Sequence, residues 1–421
     1  METDEMEKPM LCDCMKKRMS ALCADDAVKA ALKVCEDEAD FAMKEQIHIS
    51  EIESPTFAEA DRAEEIARLM KAYGLTDVTI DPSGNVVGRR PGTGSGPVLA
   101  IAAHLDTVFP AGTDLKVRQE GNRYYGPGIG DNASGLRSML QVLRALEKGG
   151  VETEGDILFV GTVGEEGNGD IRGAKALFDG SRRIDGFMAL DMCDVYTVQN
   201  GATGAHRWRL SIEGEGGHSY LDYGRVPSAI HAMCRAGALI ADLDLPENPK
   251  TTYTIGTIKG GTTVNTIAAR CEVDVDMRSV DLPTLEALEA KVLAAFEEAV
   301  RLENAHWPLA DEAHQLKLVK TQIGNRPAGM RPADCPAVQS VLGAMDALNL
   351  EVKKIKPSST DANKPMSLNI PSVCIGTGGE TCLEHSLKEY FVADRIWLGP
   401  QTALLAALAM VGRRGEKGAL A

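Results

Sequence analysis

The chain has 421 residues, 44 % of them hydrophobic and 25 % charged. At about 150 residues per domain this length favours two or three domains with a real core and excludes disorder throughout. The 61 acidic residues against 45 basic ones leave a net charge of −16, which repels phosphate backbones and argues against nucleic acid as a partner. Met1-Glu2-Thr3-Asp4-Glu5 lacks the basic and apolar regions of a secretory signal, and no apolar stretch reaches the ~18 residues of a spanning helix. A soluble, cytoplasmic protein with no membrane partner is expected. Ten cysteines without a C-x-x-C pair point to reduced, packed thiols, neither a disulfide framework nor a cysteine metal site. Cys12 and Cys14 fall in an acidic leader, about residues 1–24, expected to be mobile.

From about 27 to 74 the pattern is helical. Ile66, Leu69, Met70 and Tyr73 recur at three and four residues, Gly74 is placed to end the run, and Glu53-Ser54-Pro55-Thr56 divides it into two helices. Val78-Thr79-Ile80 and Asn85-Val86-Val87 flank the turn Asp81-Pro82-Ser83-Gly84 and predict a hairpin. The run Pro97-Val98-Leu99-Ala100-Ile101-Ala102-Ala103 is continuously apolar, as suits a strand buried on both faces of a parallel sheet. Runs at 157–163, 187–190 and 373–376 are of the same kind, and Leu136, Met139, Leu140, Leu143 and Leu146 form the stripe of an intervening helix. Strand and helix alternate, so the expected fold is α/β, with a mostly parallel sheet and helices on both faces.

Residues 206–327 read differently. Trp208-Arg209-Leu210-Ser211-Ile212-Glu213 and Cys271-Glu272-Val273-Asp274-Val275-Asp276-Met277 alternate apolar and polar like half-exposed antiparallel strands. With strands at 253–258 and 316–319 and helices at about 227–239 and 282–302, the order is the β-α-β-β-α-β of a ferredoxin-like α+β module. The expected organisation is a catalytic α/β domain in two parts, 1–205 and 328–421, interrupted by an inserted domain at 206–327.

In open α/β sheets ligands bind beyond the carboxyl ends of the strands, and there the polar residues gather. His104-Leu105-Asp106 ends the first run, and residues two apart on an extended backbone face the same way. The pair suits a metal-bound imidazole held by a neighbouring carboxylate, or a satisfied loop histidine. Asp131 lies in Gly126-Pro127-Gly128-Ile129-Gly130-Asp131-Asn132-Ala133-Ser134-Gly135, at the mouth of the leucine-striped helix. A phosphate loop would need Gly-Lys-Ser/Thr; the plainer reading is that Asp131 or Ser134 caps the helix. Glu165-Glu166 follows the second run as an exposed acidic turn, or as one metal ligand beside one general base. Asp191 ends the third run, and Glu384-His385 lies in the loop after the last. Oxygen and nitrogen donors without cysteine are the set for hydrolytic Zn²⁺, Co²⁺ or Mn²⁺, and five ligands exceed the three that one catalytic zinc needs. A two-metal site with one bridging carboxylate uses them all.

The combination resembles the metallopeptidase family of peptidase T, glutamate carboxypeptidase and aminoacylase. It is carried by Ala103-His104-Leu105-Asp106-Thr107-Val108, Gly130-Asp131-Asn132-Ala133-Ser134-Gly135, Glu165-Glu166-Gly167, Gly217-His218-Ser219 and the His385 loop, and spans about 49–408. The resemblance implies that the inserted domain is a lid or dimerisation domain, and that the protein is a homodimer through it. It also implies that Asp131 bridges two divalent ions, zinc foremost, with His104 and Asp191 on one and Glu166 and His385 on the other. Glu165 would be the base and Asp106 the partner of His104. His218, which in similar enzymes reaches the active site of the partner subunit, would stabilise the oxyanion. Asn265 and Arg278 would hold a substrate carboxylate, although Arg278 equally suits an ion pair with Asp274, Asp276 or Asp281. A non-proline cis peptide is expected after Asp131. In many relatives the ligand at the Asp191 position is a glutamate, or an aspartate followed by glycine; here Met192 follows, and Asp194 is the competing fifth ligand.

The expected function is hydrolysis of an amide bond in a short peptide, as an aminopeptidase or di/tripeptidase. The lean comes from Glu165-Glu166-Gly167-Asn168-Gly169-Asp170-Ile171-Arg172-Gly173, which resembles the peptidase T side of the family. A carboxypeptidase or N-acyl-amino-acid amidohydrolase is the alternative. A catalytically silent binding protein is disfavoured because no ligand or base is missing.

Overall fold

The continuous apolar runs become the middle strands of one sheet in the structure, a computed structural model that describes residues 11–307 and 314–421. Strand Val98–His104 lies between Asp156–Thr162 and Gly186–Leu190, and Ser372–Ile375 follows on the far side of Gly186–Leu190, all four parallel. The predicted hairpin is present as Asp77–Ile80 and Val86–Arg90, and it joins the sheet antiparallel to Asp156–Thr162. Thr197–Ala202, not anticipated, runs antiparallel to Ser372–Ile375 and takes Lys354–Ser358 as a parallel neighbour.

Side chains of a strand alternate between faces, and the core follows that alternation. Leu99, Ile101, Ala103, Ile157, Phe159, Met188, Leu190 and Val373 join one cluster with helices Ala133–Gly149, Pro336–Ala347 and Leu398–Val411. Ala100, Ala102, Leu158, Val160, Phe187, Ala189 and Cys374 join another with the short helices Arg172–Leu177 and Asn363–Ser367. Burial on both faces explains why these runs carry no polar alternation.

The N-terminal expectations need revision. The helical stretch is three helices, Asp26–Asp37, Ala39–Ser50 and Ala60–Ala72. The expected leader is a helix over Asp13–Ala24, with Met15, Met19 and Leu22 buried in the main core and Met15 and Met19 against Gly343. Residues 1–10 lie outside the described residues. The spacing of Met15, Met19 and Leu22 is helical, a signal that the reading of this segment as a mobile leader misses.

By its internal contacts the chain divides into two units, one of Met1–Ala202 with Met330–Ala421 and one of Thr203–Gly329. The second has a four-stranded antiparallel sheet ordered Thr251–Gly260, Arg270–Ser279, Gly204–Glu213, Lys317–Arg326. Helices Ala229–Ala241 and Leu282–His306 cover it, packing Met233, Leu285, Val292 and Phe296 onto Leu210, Ile212, Val273 and Val275. This strand order is that of a ferredoxin-like module. All ten cysteines are unpaired, and no helix among the described residues is long and apolar enough to cross a membrane.

Candidate metal and catalytic centre

Three of the four parallel strands deliver polar residues at the same sheet edge. His104 is the last residue of its strand, Asp191 directly follows Gly186–Leu190, and Glu165 and Glu166 follow Asp156–Thr162 after Val163 and Gly164. Asp131 arrives on the glycine-rich loop before helix Ala133–Gly149. Asn132, not Asp131 or Ser134, caps that helix by accepting from the Gly135 N–H, while its amide donates 2.9 Å to the Leu190 carbonyl beside Asp191. The Asp131–Asn132 peptide bond is cis.

At the centre is the Asp131 carboxylate. One oxygen lies 3.0 Å from His104 Nε2 and the other 2.9 Å from His385 Nε2. Glu166 Oε1 is 3.0 Å from His385 Nε2, and Asp191 Oδ1 is 3.8 Å from His104 Nε2. Ligand atoms of His104, Asp131 and Glu166 lie within 4.8 Å of one another, a grouping able to hold a metal ion. Asp194 is not part of this centre. Its carboxylate accepts from the Tyr196 N–H and the Thr197 hydroxyl in a local turn.

Asp106 is fully buried and acts on more than His104. The His104 Nδ1 sits 3.0 Å from the Asp106 backbone carbonyl and 3.6 Å from its carboxylate. The carboxylate accepts from the Thr56 hydroxyl at 2.8 Å and from the N–H groups of Glu165 at 2.9 Å and Glu166 at 3.0 Å. It therefore fixes the backbone that presents both glutamates.

The electrostatics ask for a cation. Burial, with the Asp131 and Glu165 charges, pushes the Glu166 carboxyl up to about 8. Burial drives Asp191 well above the carboxylate range, and the Asp131, Glu165 and Asp361 charges add to this against the pull of His104. Asp131 is held low: burial opposes ionisation, but hydrogen bonds from both histidines outweigh it. Two imidazoles cannot balance so many buried carboxylates. A divalent ion with oxygen and nitrogen ligands relieves them, and the residues present fit that group.

Two buried acids escaped the sequence reading. Asp361 accepts from the Thr162 hydroxyl, and burial and the Glu165 charge push it up to about 7. Glu389 accepts from backbone N–H groups of the Asp131 loop. Neither ends an apolar strand, so the pattern that exposed the others passes over them; Glu389, four residues past His385, was the nearer to detection.

In the second unit, His218 and Asn265 are neighbours. His218 pairs with Thr266 across a short two-stranded ladder, and the Ser219 N–H donates 3.1 Å to the Asn265 carbonyl. His218 is exposed, and its Nδ1 accepts from the Tyr220 N–H at 3.2 Å. Arg278 instead donates 2.7 Å to Asp276, to which Arg207 also donates.

The chain matches the model of Peptidase family M20/M25/M40 over residues 100–410. The Uncharacterized protein YqjE of Bacillus subtilis (strain 168) is 28 % identical over 273 residues, 61 % of this chain and 71 % of that one. Carboxypeptidase G2 of Pseudomonas sp. (strain RS-16) is 27 % identical over 203 residues, 46 % of this chain and 47 % of its own length, so the match spans about half of that relative. Among solved structures, a tripeptidase from Staphylococcus aureus has a TM-score of 0.73 at 24 % identity, over 87 % of this chain and 97 % of that one, a likeness of fold. The family match runs through every strand end that supplies the centre, and the chain belongs to peptidase family M20/M25/M40 as a metal-dependent hydrolase.

Proposed function

We propose that the chain is a two-metal exopeptidase acting on short peptides, of the aminopeptidase or di/tripeptidase kind. The observation that carries this reading is the Asp131 carboxylate, whose two oxygens each face a different imidazole. A carboxylate so flanked is suited to bridge two cations, with His104 and Asp191 on one and Glu166 and His385 on the other. Zinc is the favoured metal for this donor set, with cobalt and manganese next. When bound, the ions supply an activated water and an electrophile for the amide carbonyl.

The chain's own residues do the rest. Asp106, by accepting the Glu165 and Glu166 N–H groups, holds the backbone of the general base. Glu165 takes the proton of the attacking water and returns it to the leaving amine. As in similar enzymes, His218 is assigned to the oxyanion in the active site of the partner subunit, and Asn265 and Arg278 to a substrate carboxylate.

The likeness to a tripeptidase supports the substrate class. The similarity to Carboxypeptidase G2 favours the second reading, a carboxypeptidase or an amidohydrolase of N-acyl amino acids. A homodimer through the second unit is supported by the edge strand Thr251–Gly260, largely exposed and paired on one side only among the described residues. Ten unpaired cysteines fit a cytoplasmic location.

The test is a hydrolysis screen of zinc-, cobalt- or manganese-loaded protein against di- and tripeptides, C-terminal variants and N-acyl amino acids. Peptides with a free N-terminus should be cleaved fastest; faster cleavage of N-acyl amino acids would transfer the reading to the alternative. Glu165→Gln should keep its metal content while turnover falls at least ~10²-fold, as expected on losing a general base. Near-normal turnover would remove Glu165 from that role.

A further inference from the structure

Asp131 and His385 stand 254 positions apart in the chain, yet Nε2 of one and Oδ2 of the other are 2.9 Å apart. Their two loops meet at Glu389, which is 1 % exposed. Its Oε2 accepts from the Gly128 N–H at 2.8 Å, and its Oε1 from those of Gly130 at 2.9 Å and Asp131 at 3.3 Å. Its backbone carbonyl accepts from the Gly126 N–H at 3.1 Å, and its own N–H donates to the Ser386 carbonyl at 3.0 Å. Strand Tyr390–Val392 then continues the contact by pairing with Arg123–Tyr125. The loop is shaped to this carboxylate. A Cβ on Gly130 would stand 2.3 Å from Thr381 Oγ1 and 3.2 Å from Glu389 Oε1, so no larger residue fits there unchanged.

Among the described residues Glu389 makes no ion pair with a cationic side chain. A buried carboxylate is costly, and here its compensation comes from successive N–H groups of one loop, the arrangement by which backbone holds an anion. An aliphatic residue in its place would leave the N–H groups of Gly128, Gly130 and Asp131 without an acceptor. What the carboxylate adds is a fixed position for the Asp131 main chain relative to the segment that carries His385.

We propose that Glu389 is a positioning residue of the metal centre, setting the separation of Asp131 and His385 and with it the affinity of the ion they share. The proposal rests on the two-metal reading above. Outer partners of metal ligands carry about 10–100-fold of metal affinity, and that is the expected loss.

The experiment uses the full chain, stripped with a chelator and retitrated with Zn²⁺ against a chromophoric competitor and with Co²⁺ followed by visible absorption. In Glu389→Gln the amide NH₂ faces an N–H donor and one loop contact is lost. The variant should retain its far-UV circular dichroism, bind at least one ion 10–100-fold more weakly, and show an altered Co²⁺ spectrum. Glu389→Asp, charged but shorter, should fall between it and the parent, and carries the same test should the amide variant not fold. Lys388→Ala, an exposed neighbour on the same loop, should titrate like the parent. Parental affinity and spectrum in the folded fraction of the Glu389 variants would overturn the proposal. A parent chain that binds neither ion would bring down the two-metal reading, and this inference with it.

Discussion

Strand Val98–His104 of the first unit is buried along nearly its whole length and ends in a histidine, whereas strand Arg270–Ser279 of the second alternates buried and half-exposed residues from end to end. In the first sheet a polar side chain in mid-strand would meet helices on either face. Its candidate site residues His104, Glu165, Glu166 and Asp191 therefore stand at or just past the ends of three neighbouring strands, while Asp131 and His385 come in on loops. In the second sheet one face is wet, and its charges pair mainly across neighbouring strands. Arg209 meets Asp274, and Arg207 and Arg278 share Asp276. Two-sided burial concentrates chemistry, and one-sided burial spreads charge.

That contrast can be broken in three ways. Asp131→Ala should have the largest effect, with loss of bound metal and of activity together, because two imidazoles lose their common carboxylate partner. Metal analysis and initial rates on one preparation check this; retained stoichiometry would mean that the concentrated site is not organised around Asp131. Phe159→Ala comes next. Phe159 is fully buried in the first sheet, and its truncation should cost about 3–5 kcal/mol in chemical denaturation. A cost under about 1 kcal/mol would show that the sheet is not closely packed on that face.

The smallest effect belongs to the second sheet. The hydrogen bond from Arg209 holds the Asp274 carboxyl below its usual range against the opposing effect of burial. The pair therefore stabilises above the ordinary carboxylate pKa of about 3.9, and its contribution fades as the pH falls through the lowered value. The Arg209 side chain is half exposed, so Arg209→Ala should lower the denaturation midpoint only slightly at neutral pH. The difference from the parent should vanish in acid. A difference that grew on acidification would reverse the assignment.

The same contrast explains what was legible in the sequence. A strand buried on both faces writes itself as an unbroken apolar run, and its end is marked by the first polar residue, so His104, Asp191 and the Glu165–Glu166 pair were readable with their sheet. The alternating strands of the second unit were readable by their period of two. What escaped has no such mark. The strands Glu380–Cys382, Tyr390–Val392, Arg123–Tyr125 and Arg118–Glu120 form a small sheet from segments of three residues, too short for any period. Glu389 and Asp361 are buried acids whose partners lie far away in the chain, as with the 261 positions between Glu389 and Gly128. Local pattern carries no information about such pairs. Arg278 was legible as a charge, but its Asp276 partner had to be chosen from three candidates.

Strand Ser372–Ile375 enters the first unit's sheet between Gly186–Leu190 and Thr197–Ala202, two strands that precede it by about 170 residues. During synthesis the earlier strands leave the ribosome with a gap between them, and the whole second unit must be made before the filler exists. Until then two apolar edges stand open, and His385 has not yet been translated. Nascent chains of this topology are exposed to aggregation for as long as such edges wait. Until synthesis has passed residue 385, the imidazole that faces the second oxygen of Asp131 is missing from the sheet edge.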